Sequence, residues 1–472
     1  MSMQLRKIYQ HFFPLVLVFV CVGSLAQSQP QLPAPVRDNI DQAAREVLAR
    51  TGVPSASIAV VKNGQIAYLQ AYGHARIQPS MAARPEMRYS IGSISKQFTA
   101  TAILMLAEEG KLSLDDPVGK FLPDLTRAKE VTIRQLLSHT SGYQDYWPQD
   151  YAPPFMLHDV TARVILDRWA LKPLDFDPGT KWQYSNTNFV IAGLIAEKAS
   201  GVPLLKFLSD RIFTPLGMKS VMNIDQNRLT ETDATGYFRY ALGPLRPAPK
   251  EGKGWLFAAG ELAMPAQDLA RWNIGMINQR LLKLESYKEM QTEVRLKSGQ
   301  GTNYGLGVDL GNVLGHRIVA HSGEVSGFTA QNIVFPDDKA AITVLTNEDA
   351  AGAAGEIARR IGPILFASND VAPDKKLEQT KKIFEDLQHG QIDRSLLTEN
   401  AKFYFNEQAL KDFGDSLGPL GSPQEFVKTS EEGRGGMTLR TYRVRFPQKT
   451  LGIIIYEMPD GKLEQYQVFA RE

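Results

Sequence analysis

At 472 residues, with 43% hydrophobic and 22% charged side chains, the chain has the composition of a folded globular protein with a large core, which excludes disordered and fibrous classes. Its formal charge of +2 includes Arg6 and Lys7 near the start, and with no polybasic run elsewhere neither nucleic acid nor anionic membrane is an expected partner. The single cysteine, Cys21, leaves no disulfide, thiolate nucleophile or cysteine metal site for the rest of the chain.

Residues 1–26 combine a short basic start, an apolar stretch over 12–22 and the small-x-small triplet Ser24-Leu25-Ala26. That pattern predicts a cleaved secretory signal, because the apolar span is shorter than the ~20 residues that cross a bilayer. The expected location is therefore periplasmic or extracellular, with no membrane anchor after cleavage. Because Arg6 and Lys7 are the only charged residues in the segment, the remainder is formally neutral.

The runs 57–61 and 65–71 are apolar and β-prone, and the Lys62-Asn63-Gly64 turn between them predicts a hairpin. A second hairpin is expected from 332–335 and 341–345 around Pro336-Asp337-Asp338. Between them, 104–107, 132–137, 162–169, 188–199 and 266–276 have helical spacing. The expected fold is α/β in the α+β sense: an antiparallel sheet completed by both ends of a large domain over 27–365 and flanked by helices, with a helical subdomain inserted. Residues 366–374 read as a linker. A small α+β unit over 375–472 follows, with a helix at 377–388 and strands at 437–446, 451–458 and 464–470. It resembles a nuclear-transport-factor-like (NTF2-like) cone, placed to cap the site, bind substrate or mediate dimerisation.

Ser93-Ile94-Ser95-Lys96 opens the long apolar run 97–107. On a helix, residues three apart lie about 5–6 Å apart at Cβ. The Lys96 amine can therefore approach the Ser93 hydroxyl and, if desolvated, help remove its proton. Taken alone the same four residues also read as a serine-capped helix start with an exposed lysine. Tyr184-Ser185-Asn186 precedes another apolar run. A lysine ammonium beside the Tyr184 phenol favours the phenolate, which suits a general base toward Ser93, and Asn186 suits a substrate amide and Lys96 itself. A packed aromatic and a helix cap are the plainer reading of that segment. His321-Ser322-Gly323-Glu324 supplies a glycine for close backbone approach and amides that can face an oxyanion, or else a turn.

The order and setting of these motifs resemble the serine hydrolases related to class C β-lactamases and penicillin-binding DD-peptidases, whose signatures are Ser-x-x-Lys, Tyr-x-Asn and Lys/His-x-Gly. The likeness spans 53–365 and includes Tyr89-Ser90-Ile91-Gly92, Leu136-Leu137-Ser138-His139-Thr140-Ser141-Gly142, Pro178-Gly179-Thr180 and Tyr304-Gly305-Leu306-Gly307. It implies a β-lactamase/transpeptidase-like fold with Ser93 acylated and Lys96 and Tyr184 as the proton-transfer pair. Asn186, His321 and Gly323 would contact substrate, and the main-chain amides of Ser93 and Glu324 would form the oxyanion hole. No cofactor or metal is implied, and the partner would be a small-molecule or peptide substrate such as one derived from cell wall. His321 stands where typical class C β-lactamases carry lysine. An unperturbed imidazole is mostly neutral near pH 7, so a carboxylate-bearing β-lactam would be held weakly. An esterase or D-amino-acid peptidase is expected ahead of a true β-lactamase or a non-catalytic penicillin-binding sensor.

Three decoys are set aside. Gly414-Asp415-Ser416-Leu417-Gly418 matches esterase patterns, yet no histidine follows His389, and a glycine-rich loop is expected there. His139 is expected in a structural turn, and Asp115-Asp116 at a turn and helix cap rather than at a metal.

Overall fold

The computed structural model describes residues 31–349, 351–366 and 375–471. The proposed signal over 1–26 and nearly all of the proposed linker lie outside the described residues. The chain divides into two compact units, Met1–Phe366 and Ala367–Glu472.

In the first unit, Ser55–Lys62 and Gln65–Arg76 form the first expected hairpin. Asn63 and Gly64 both take positive φ, 52° and 73°, as a two-residue turn matched to strand twist requires. Phe328–Phe335 and Ala340–Thr346 form the second hairpin. The two hairpins meet through antiparallel pairing of Ser55–Lys62 with Ala340–Thr346, Ile58 opposite Val344 and Val60 opposite Ile342. His316–Val325 and Asp309–Val313 extend the sheet beyond Phe328–Phe335, and Met81–Ala82 closes the other edge.

Side-chain alternation assigns the two faces. Ile58 and Val60 pack with Ile40, Val47, Ile357 and Ile361 of the helices Ala34–Thr51 and Ala353–Phe366. Ala59 and Val61 turn instead toward the main helical body. Both faces being covered explains why Ser55–Val61 is buried at every position rather than at alternate ones. At the centre of that body lies Ser95–Glu108, where every residue from Ser95 to Leu106 is buried, and beside it Asn186–Ser200 and Ala266–Ile277. A helix apolar all round belongs inside a body of this kind.

The turn that carries Ser93 sits against the sheet through glycine. Gly92, at φ 51°, comes so close to His316–Val325 that a Cβ there would lie 2.6 Å from the Glu324 nitrogen. A Cβ on Gly323 would lie 1.9 Å from the Ile91 carbonyl oxygen. Gly323→Ala is therefore expected to cost about 1–3 kcal/mol by overpacking. Thermal denaturation checks it, and an unchanged midpoint would show that the turn and strand separate easily.

The second unit has helices Lys375–Gln388, Glu399–Tyr404 and Glu407–Leu417, then a four-stranded antiparallel meander from Glu425–Arg434 to Leu463–Arg471. Phe384, Leu387, Phe405, Val444 and Ile453 form its own core. The stretch read as a glycine-rich loop is corrected: Ser416 lies in the last turn of a helix, donating back to the Asp412 carbonyl at 2.6 Å. Glu425–Arg434, absent from the sequence reading, is an edge strand whose polar residues carry little apolar signal.

Candidate active site

Ser93 lies in the short 3-10 turn Gly92–Ile94, and Lys96 is the second residue of the helix that continues from it. Neither the serine cap nor the exposed lysine of the plainer reading is present. The helix has no side-chain cap, and Lys96 is fully buried. Three oxygens surround Lys96 Nζ: Ser93 Oγ at 2.9 Å, Asn186 Oδ1 at 2.8 Å and the Ala259 carbonyl at 2.9 Å. An ammonium donates to all three. After losing a proton, the amine keeps two N–H groups for Asn186 and Ala259, and its lone pair faces the Ser93 hydroxyl, which then donates. Burial pulls the Lys96 pKa down to about 7, against the opposing pull of the Asp145 charge.

Tyr184 also hydrogen-bonds the Ser93 side chain, so the serine oxygen sits between amine and phenol. Lys96 Nζ lies 5.0 Å from the centre of the Tyr184 ring. The expected phenolate is corrected here. Burial raises the Tyr184 pKa far above the ordinary tyrosine value, outweighing its hydrogen bond to Ser93, and the nearby Asp145 and Asp309 charges add to the rise. The phenol keeps its proton. Low local dielectric penalises the anion more than any neighbouring cation rewards it.

Asn186 begins the helix Asn186–Ser200, and its orientation is set by Asp145, a residue the sequence reading missed. The Asp145 carboxylate accepts from the Asn186 backbone N–H at 3.0 Å and from Asn186 Nδ2 at 3.2 Å. With Nδ2 directed there, Oδ1 is left for Lys96. Burial pushes the Asp145 carboxyl up to about 6, opposed by these hydrogen bonds and by Lys96. An Asp three residues after Gly142 has no periodic signal, and only the loop's return to the Asn186 helix reveals it.

His321 is buried against Tyr304. Its Nδ1 donates to the Ser322 carbonyl at 2.6 Å, which leaves Nε2 to accept from the Tyr304 hydroxyl at 2.9 Å. Burial, reinforced by Lys96, lowers its pKa to about 4. The imidazole is neutral at physiological pH and both nitrogens are engaged. Gly323 follows with its backbone against Ile91, which brings the Glu324 amide beside the Gly92–Ile94 turn.

Ser93, Tyr184, Asn186, His321 and Glu324 thus face one cleft of about 490 Å³, whose wall also includes Tyr146, Trp147, Tyr151 and Asp309. His139 lies outside that wall. Its φ is 58°, its Nδ1 accepts from the Ser185 N–H at 3.1 Å, and its ring packs 4.2 Å from that of Tyr184. It steadies the Tyr184 segment and does not reach Ser93. Asp115 pairs with Arg134, while Asp116 accepts from the Ser113 N–H and pairs with Lys120. No group of three or more potential metal ligands occurs among the described residues.

Residues 40–364 match the family model described as Beta-lactamase. The protein flp of Staphylococcus aureus (strain MW2) is 30% identical over 325 residues, 66% of this chain and 63% of that protein, so the chain spans less than two thirds of that relative. The solved D-amino acid amidase from Ochrobactrum anthropi SV3 is 25% identical with a TM-score of 0.65, covering 71% of this chain and 100% of that one. An octameric penicillin-binding protein homologue from Pyrococcus abyssi, 24% identical with a TM-score of 0.62, covers 92% of this chain and 96% of its own, a likeness of fold. With more than half of its length matched by the family model, the chain belongs to the β-lactamase family.

Proposed function

We propose that the chain is an exported serine hydrolase that cleaves an ester or amide through an acyl-enzyme on Ser93, as an esterase or D-amino-acid peptidase does. The observation that carries this reading is the buried Lys96 amine, held near neutrality in pKa and hydrogen-bonded to the Ser93 hydroxyl. A desolvated lysine of this kind is in large part deprotonated near neutral pH, where an exposed lysine is not.

Lys96 takes the Ser93 proton as Oγ attacks the substrate carbonyl carbon. The Oγ–C bond forms, and the carbonyl electrons move onto oxygen, stabilised by the Ser93 and Glu324 amides. As the tetrahedral centre collapses, the bond to the leaving group breaks. Tyr184, protonated and beside Ser93, gives its proton to the departing nitrogen or oxygen and is reprotonated from Lys96. Water then enters by the same route in reverse, delivering its proton to the base and freeing Ser93. Asn186 holds Lys96 and offers its amide to the substrate.

A neutral His321 favours this reading over β-lactam hydrolysis, because it supplies no cation to a β-lactam carboxylate. The amidase relative supports the amide arm. The test is a panel of nitrophenyl esters, D-amino-acid amides, D-Ala-D-Ala peptides and a chromogenic cephalosporin, run on the native protein and Ser93→Ala. Ester or amide turnover is expected in the native protein alone, with the cephalosporin a poor substrate. A cephalosporin far ahead of the others would make this a β-lactamase, and a stoichiometric label on Ser93 without turnover would make it a sensor.

A further inference from the structure

Asp309 opens the strand Asp309–Val313 and pairs with Ala320, one residue before His321. Its side chain lines the cleft together with Ser93, Tyr184 and His321. Among the described residues its carboxylate has no hydrogen-bond or ion-pair partner, and burial alone raises its pKa to about 6. An unpaired carboxylate in a half-buried wall is costly unless something arrives to neutralise it.

The rest of the cleft narrows what that is. Among the described residues no Lys or Arg side chain lines it; Glu324 and Asp349, the latter accepting from the Gly327 N–H, add carboxylates to its wall, and its one imidazole is neutral with both nitrogens engaged. A substrate carboxylate would meet Asp309 with no counter-ion. A substrate ammonium would form a charge-assisted hydrogen bond with it, and the rings of Tyr146, Trp147, Tyr151 and Tyr184 can receive an apolar or aromatic body and the face of a cation.

We propose that Asp309 is the specificity-determining residue of the cleft, taking a protonated amine on the substrate whose apolar portion lies against the aromatic wall. This rests on the hydrolase reading above and narrows its substrate class to cationic, apolar esters or amides. The amine can stand on the acyl portion or on the leaving group, and matched substrate series separate the two.

The test compares kcat/KM for nitroanilides and nitrophenyl esters of phenylalanine bearing a free amine with their N-acetyl counterparts, and for phenylacetic esters of an amino alcohol with those of the uncharged alcohol. At least one series is expected to favour the amine at least tenfold, and Asp309→Asn to lower that ratio at least tenfold, with Asp309→Glu recovering part of it. An unchanged ratio in Asp309→Asn overturns the proposal, as does absence of an amine preference in both series. Calorimetry on Ser93→Ala gives a second readout that needs no turnover. Phenethylamine is expected to bind more tightly than phenylacetate, and to weaken at least tenfold when Asp309→Asn is added. Tighter phenylacetate binding overturns the proposal without any Asp309 variant. Asp309-dependent amine binding in a protein that hydrolyses nothing would remove the hydrolase reading instead.

Discussion

Lys96→Met is expected to lower kcat/KM for a nitrophenyl ester by about three orders of magnitude or more, near the upper end of what a positioned base contributes. Methionine has a similar length and keeps the buried volume filled, so the loss reports chemistry rather than collapse. The pH profile carries the sharper evidence. Only the unprotonated amine has a lone pair for the Ser93 proton, so native kcat/KM should rise with pH through about 7, the value to which burial brings Lys96. That limb should vanish in Lys96→Met. In Asp145→Asn it should persist but move to lower pH, because the Asp145 charge stabilises the ammonium and its removal makes deprotonation easier. Asp145 itself is pushed up to about 6, so a limb that disappears in Asp145→Asn would assign the titration to that carboxyl instead.

Tyr184→Phe is expected to depend on the leaving group. An amide nitrogen must be protonated to depart, whereas nitrophenolate leaves unaided. A phenol kept protonated by burial is suited to the first task. The variant should lose roughly 10²–10⁴-fold on an anilide of low-acidity amine, the range of general acid catalysis, and much less on a nitrophenyl ester. Stopped-flow or steady-state rates on the two substrates check this. Equal losses on both would return Tyr184 to the general-base role that its neighbourhood with a lysine first suggests.

Much of the fold was legible because local signals agreed with the tertiary answer. The Asn63-Gly64 turn, the Pro336-Asp337-Asp338 turn and the apolar helical runs each describe an element that exists. The misses share a cause. Glu425–Arg434 is an edge strand whose polar residues leave no alternation to read. Gly414 and Ser416 at the end of Glu407–Leu417 make its last turn read as a loop. The helices Ala34–Thr51 and Ala353–Phe366 lie outside the runs read as helical, although they pack against one face of the sheet.

Spacing alone dictates the Ser93–Lys96 pair, three apart on a helical turn, and the resemblance of the ordered motifs to the serine hydrolases is what adds Tyr184, Asn186 and His321 as candidates. Protonation was a matter for the tertiary structure alone. A lysine, a phenol, an imidazole and two carboxyls have ordinary titration ranges until a fold removes water from around them. Here burial moves all five toward their neutral forms. In the proposed hydrolase this suits Lys96 to act as base and Tyr184 as acid. Asp145 and Asp309, far apart in the chain and without a motif, enter the site only because a loop and a strand end return to it.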